Sequence, residues 1–267
     1  MKISSVHAKE LQHAYFLLEN PGFAIKIANT VGKPAEKLIE ALPAKVSKNI
    51  TKVTIGALGK ATDAALFTLK EIPGKKPSNW GHKIAVTCSG AAGGFFGPFA
   101  LAPELATSTV LMLRSVADIA RSEGESLSDA DAKLACLEVF AMGSGKSAED
   151  DAADSAYYTV RAAMAGAVRE AAVFLAEKKL TEKGAPVLIK LITSIAERFS
   201  ITVTEKMAAQ SLPIIGAVGG AGINLLFMDH FQDMAKGHFT VRRLERIYGT
   251  ELIQNEYENL RRKKKNF

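Results

Sequence analysis

The sequence predicts an all-α protein, a compact multi-helix bundle with long Gly-rich central helices, and three observations carry that prediction. No alternation of apolar and polar residues with β-branched enrichment extends beyond a few positions, whereas helical spacing of apolar residues recurs throughout. Prolines 21, 34, 43, 103, 186 and 213 stand where helices are expected to begin. A first-turn proline is tolerated because its missing N–H would have no intrahelical partner anyway. Finally, Ser128-Asp129-Ala130-Asp131 and Ser147-Ala148-Glu149-Asp150 each set a capping hydroxyl before carboxylates, which favour the positive end of a helix.

In chain order the expected helices cover residues 5–19, 21–30, 34–41, 43–71, 82–94, 103–123, 128–142, 147–180, 186–199, 202–212 and 213–248. Those at 21, 34, 43, 103, 186 and 213 open on proline, and those at 128 and 147 open on a serine cap. Apolar spacing alone predicts the rest. The clearest loop is Ile72-Pro73-Gly74-Lys75-Lys76-Pro77-Ser78-Asn79, with a weaker break at Gly143-Ser144-Gly145-Lys146.

With 267 residues, 48% hydrophobic and 23% charged, the chain can bury a substantial core as one large domain or two closely packed halves. Its net charge of +6 owes much to Arg261-Arg262-Lys263-Lys264-Lys265, so the body is nearly neutral. Cys88 and Cys136 sit in apolar surroundings without metal-ligand spacing and are expected to be reduced core residues of a cytosolic protein. The first ten residues lack the apolar core of a signal peptide.

Residues 84–103 and 207–228 contain no Asp, Glu, Lys or Arg, and each is long enough for a bilayer span. Glycine, alanine, Gln210 and Asn224 supply little transfer energy, however, so packing in a soluble core is favoured. Both stretches carry a Gly-Ala-x-Gly-Gly pattern, Gly90-Ala91-Ala92-Gly93-Gly94 and Gly216-Ala217-Val218-Gly219-Gly220. Glycine within a helix costs roughly 1 kcal/mol relative to alanine. Several together predict close backbone approach, with Gly93, Gly94, Phe95, Phe96, Gly216 and Gly220 at a contact with membrane or partner.

The densest titratable cluster is Asp229, His230, Asp233 and His238. At 100° per residue Asp229 and Asp233 share a face and His230 can join them, whereas His238 falls nearly opposite Asp229. As chemistry the cluster predicts a metal held by His230, Asp233 and Asp229, or an acid–base site. As structure it predicts carboxylates paired with Arg242, Arg243 or basic groups elsewhere, and this reading is favoured. Glu104, Ser108, Ser115, Asp118 and Ser122 form a narrow polar stripe, with Thr107 and Arg114 beside it, on an otherwise apolar helix. Either the stripe faces solvent or it meets polar groups of the Asp229/His230 helix around a buried network or pocket. In the second case Glu104 and Asp118 join the catalytic candidates.

Gly143-Ser144-Gly145-Lys146-Ser147 lacks the earlier glycine of a phosphate loop, since residue 140 is Phe140. No basic–aromatic alternation surrounds Trp80 or Tyr157-Tyr158, so these are expected to pack rather than stack bases, and no specific nucleic-acid partner is expected. The terminal basic run suits anionic head groups or another polyanion.

Gly93-Gly94-Phe95-Phe96-Gly97, Pro103-Glu104-Leu105, Leu113-Arg114-Ser115-Val116-Ala117-Asp118-Ile119-Ala120-Arg121, and the run from Asp229-His230-Phe231-Gln232-Asp233 through Gly237-His238-Phe239 to Arg242-Arg243-Leu244-Glu245 resemble the EcsC protein family of bacteria. The resemblance covers roughly residues 57–249. It implies a cytoplasm-facing accessory protein, peripheral on the inner face of the cell membrane, whose partners are a membrane surface, lipid, or a membrane protein such as the components of an ABC exporter. It brings neither a reaction nor a cofactor. The chain then divides into an N-terminal helical segment (1–55), an EcsC-like helical domain (56–250) and a basic C-terminal tail (251–267). The leading expectation is a non-enzymatic membrane-associated protein. Its rivals are a hydrolase using Asp229, His230 and Asp233 with Glu104 and Asp118, and a lipid cavity between the Gly-rich helices.

Overall fold

The structure is a computed structural model that describes residues 2–19, 23–31, 39–40, 42, 44–68, 101–143, 156–177, 185–210 and 216–265. Among these residues there are nine α-helices and no strand: α1 (Ser5–Glu19), α2 (Phe23–Val31), α3 (Ala44–Thr68), α4 (Leu101–Ser122), α5 (Ala130–Glu138), α6 (Ala156–Glu177), α7 (Pro186–Gln210), α8 (Gly216–Tyr248) and α9 (Thr250–Lys265). The all-α bundle is thus the fold. One core runs from Leu11 and Phe23 through Ile50 and Leu105 to Ile253 and Tyr257, so the first and last helices belong to the same packed interior.

Helix α8 is the central rod. At 1.5 Å per residue it extends about 50 Å, and it packs against α1, α2, α4, α7 and α9. Phe227, Met228, Phe231, Ala235, Phe239 and Leu244 are all buried along it. Neighbours on several sides explain why its apolar residues are not confined to one stripe. Helix α4 runs in the same direction, because Glu104 meets Asn224, Ser115 meets Gln232 and Glu123 meets Arg243. Helix α1 runs the opposite way. Its Ser4 and His7 end lies at Tyr248, Glu10 lies at Arg243 and Leu18 lies at Gly237.

The α1–α8 crossing depends on a missing side chain. A Cβ at Gly237 would stand 2.6 Å from Leu18 Cγ and 3.1 Å from the Ala14 carbonyl oxygen. Gly237→Ala is therefore expected to destabilise by about 1–3 kcal/mol through overpacking, despite alanine's better helix propensity. Urea unfolding of the variant checks this, and an unchanged or raised midpoint would contradict the close crossing.

Several boundaries differ from the sequence expectation for local physical reasons. Residues 186–199 and 202–212 were expected as two helices, but α7 is continuous through Ser200. The Ser200 hydroxyl donates to the Glu197 carbonyl and Thr204 to the Ser200 carbonyl, so both side chains are satisfied without breaking the helix. At α5 the cap residue is Asp129, without a side-chain cap bond, while the Ser128 hydroxyl meets Ser126 and Asp129 instead. The expected 128–142 helix ends as a 3₁₀ turn, Val139–Ala141. The Ser147 cap and the expected 82–94 helix lie outside the described residues.

The stretch after Gly249, for which no helix was expected, forms α9. Gly249 ends α8 at φ +89°, donating its N–H to the Glu245 carbonyl at 2.8 Å. The chain then turns back, so that Tyr257 reaches Tyr15 and its hydroxyl donates to Glu19. Glu19 also accepts from the Tyr157 N–H, placing a carboxylate at the positive end of α6.

Candidate functional site

The titratable residues singled out in the sequence separate along α8 into distinct environments. Nearest its start, Glu104 accepts from Lys206 Nζ at 2.8 Å and from Asn224 Nδ2 at 3.0 Å, and Gln210 Nε2 donates to Asn224 at 3.4 Å. The Lys206 side chain is 1% exposed, with its ammonium 4.8 Å from the Phe227 ring centre. Further along, Gln232 donates to Ser115 in the interior at 2.8 Å. Part of the α4 polar stripe therefore does face α8. Its partners there are Asn224 and Gln232, whereas Asp118 pairs with Arg121 on its own helix.

His230 sits one turn before Met234 in an apolar niche. Its ring lies against Phe23 and Phe231 and beneath Gly143, where a Cβ would stand 2.6 Å from the imidazole. Gly143 adopts φ +69°, so glycine suits that position both sterically and conformationally. Neither ring nitrogen makes a hydrogen bond of good geometry, although the Gly143 backbone lies close enough to act on the ring. Burial pushes the imidazole pKa down to about 3, the Lys26 ammonium lowers it further, and the Gly143 backbone opposes both. Asp233 accepts from Lys26 at 2.7 Å, and Asp229 is half-buried. The favoured expectation for Asp233, pairing with a basic group, is met by Lys26, while Arg242 and Arg243 bind other carboxylates. Among the described residues no group of three or more His, Cys, Asp or Glu side chains is arranged to hold a metal ion.

His238 occupies a third environment. Its Nδ1 lies 3.0 Å from the Tyr157 hydroxyl, and Nε2 has no partner. Burial, then Arg161 and Arg242, hold its pKa well below the usual histidine value. Four of the five tyrosines gather here: Tyr157 contacts Tyr158 and Tyr257, and Tyr257 contacts Tyr15. Arg161 grips Glu245 through two bonds of 2.7 and 3.0 Å while lying over both Tyr157 and Tyr158. Glu138 is buried beside this group, and burial raises its pKa to about 7 against the pull of Arg161 and Arg242. Sequence reading missed Glu138, Arg161 and Glu245. The one local signal was Arg161 four residues after Tyr157, a helical neighbour spacing.

Toward the end of α8, Arg242 bonds Glu125 and Asp131, Arg243 bonds Glu123 and Glu10, and Arg246 bonds Glu125. Burial alone would raise the Glu123 pKa, but hydrogen bonds from Lys236 and Arg243 hold it below the usual value. These pairs clamp the α4–α5 connection onto the rod, so this basic cluster is engaged internally.

Across this arrangement, from α1 to Leu244, the sequence matches the family model described as "EcsC protein family", residues 7–244. The chain belongs to the EcsC protein family. No curated protein and no solved structure matches it. The EcsC match takes in α1 and α2, which the sequence resemblance had left out, and it stops four residues before α8 ends. Helix α9 therefore lies beyond the EcsC match.

The buried histidines of this EcsC chain give it a defined acid response. Their folded pKa values lie below the ordinary 6.5, so below that pH the unfolded chain binds more protons. For His230 stability is expected to fall between about pH 6.5 and 3, by up to ~1.4 kcal/mol per pH unit, and His238 adds a loss of the same sign that begins below pH 6.5. His230→Phe should make the decline shallower by about one proton's worth, read from urea midpoints across that range. An unaltered slope would show that His230 is hydrated in solution.

Proposed function

We propose that the protein is a non-enzymatic accessory protein that attaches, at one end of its bundle, to a membrane face or to a membrane protein seated there. The α7–α8 hairpin carries this reading. Residues 207–228 contain no charged side chain, yet 207–210 close α7 and 216–228 open α8, with Gln210 bonded back to Asn224. The two described parts of this uncharged stretch thus lie against each other. Among the described residues no helix is long and apolar enough to cross a membrane. At the same end Glu104 and Lys206 neutralise each other, and Glu205 beside them is also buried. The described parts of the hairpin thus bring no exposed charge to an interface, where stripping water from a lone charge is costly.

Gly222 supplies the test because it is exposed and a side chain there would meet nothing within 4 Å. Gly222→Glu is expected to lower recovery with liposomes in flotation without loss of helicity. Gly166→Glu, equally exposed and open on α6, should leave it unchanged. Full recovery of the unaltered protein in the soluble fraction, with neither lipid nor a membrane partner bound, would overturn the reading.

The hydrolase alternative draws less support from the site. His230 is neutral at pH 7 and neither of its nitrogens makes a hydrogen bond of good geometry, but it is sealed among Phe23, Phe231 and Met234, and Asp233 is committed to Lys26. A stoichiometric transition metal in protein purified without chelator, lost in His230→Ala, would revive it.

A further inference from the structure

We propose that α9 sets the direction of this attachment: its basic last turn meets anionic lipid head groups, so that the bundle stands on the membrane with the start of α8 toward the lipid. This rests on the membrane reading above and adds a face and a lipid class to it. Three observations support it.

The first is direction. Helix α9 begins beside the Tyr248 end of α8 and folds back along α1, with Tyr257 at Tyr15 and Glu19. Since α1 runs antiparallel to α8, the α9 terminus points toward the α8 start. Eight residues separate Tyr257 from Lys265, which carries the tip about 12 Å further that way. With Tyr257 level with about Gly237, this brings the tip level with about Asp229, where the uncharged stretch 207–228 ends.

The second is charge. Along α9 the residues change from Glu251 in the first turn to Arg261, Arg262, Lys263, Lys264 and Lys265 in the last. Arg261 is turned inward and bonds Glu258, whereas Arg262 and Lys263 are exposed. Such a cluster is attracted to anionic lipid surfaces and fades in effect beyond a Debye length. The other large basic cluster, Arg242, Arg243 and Arg246, is neutralised within the fold by Glu10, Glu123, Glu125 and Asp131.

The third is what α9 does with its apolar side. Ile253 and Tyr257 are fully buried and Leu260 packs against the core. That face is not available to insert in lipid. The contact is therefore electrostatic and salt-sensitive, unlike that of an interfacial amphipathic helix.

The experiment compares two pairs of substitutions that change total charge equally. Arg262→Gln with Lys263→Gln removes charge at the tip. Lys2→Gln with Lys9→Gln removes it from exposed positions at the opposite end, beside Tyr248. Binding is measured by flotation of the full chain with phosphatidylcholine vesicles, with and without phosphatidylglycerol, at low and high salt.

The tip pair is expected to weaken binding to anionic vesicles by about thirtyfold. The opposite pair should change it less than threefold, and high salt should release the unaltered protein. Equal losses in both pairs would mean that only total charge matters and would overturn the orientation. Binding that ignores salt and phosphatidylglycerol would overturn the lipid class while leaving the membrane reading intact. Failure of the unaltered protein to bind either vesicle, with no membrane protein captured, would remove the reading itself.

Discussion

Glu104→Ala is expected to destabilise the protein by about 3–5 kcal/mol, because it leaves the ammonium of Lys206 inside the bundle without its carboxylate. The Lys206 side chain is 1% exposed, so water cannot replace the lost partner without opening the α4–α7–α8 junction. The Asn224 amide would lose this acceptor at the same time. The double variant Glu104→Leu, Lys206→Met removes both charges and should recover most of the loss, since well-packed apolar replacements of buried pairs are often neutral or better. Urea unfolding of the three proteins forms the cycle. Two single losses that simply add in the double variant would show that the charges act independently.

Glu138→Gln is expected to stabilise the protein by up to about 3 kcal/mol at pH 8 and to be nearly neutral at pH 4.5. Burial raises the Glu138 pKa from its ordinary 4.5 to about 7. Between those values the folded state therefore binds the proton more tightly than the unfolded chain does. Stability from the protonated form is present below pH 4.5 and lost as pH rises through 7. Glutamine keeps the shape and cannot ionise, so it removes this loss at high pH. The His230 and His238 effect has the opposite sign and begins below pH 6.5, so the two trends partly cancel between about pH 4.5 and 6.5. Thermal midpoints at the two pH values test the substitution. A Gln variant equally destabilised at both would mean that the carboxylate is ionised and held by Arg161 or Arg242.

Much of the helical order was legible because helix boundaries follow local chemistry. The 5–19 helix falls where apolar spacing put it, and the prolines mark the starts of α4 and α7 to within two residues. What local chemistry could not reveal was partnership. Glu104 and Lys206 are far apart in sequence, and a helical wheel shows which face Glu104 shares but not which helix will cover it. Similarly, Asp229, His230 and Asp233 share a region of α8, but α2 supplies Lys26 to one and Phe23 to another. Helix α9 was hidden for a different reason: its polar composition resembles a solvated tail, and Ile253, Tyr257 and Leu260 acquire meaning only beside α1. The predicted encounter between the glycine-rich segments at 90–97 and 216–222 falls partly outside the described residues.

The pairing of α1 with α8 and α9 also bears on the order of synthesis. Leu11, Ala14 and Leu18 leave the ribosome more than 200 residues ahead of Gly237 and Tyr257, against which this region closes. Closing so long a loop is entropically slow, and an amphipathic helix waiting for its seat is a natural client for chaperones. Helix α1 is thus made early and seated late.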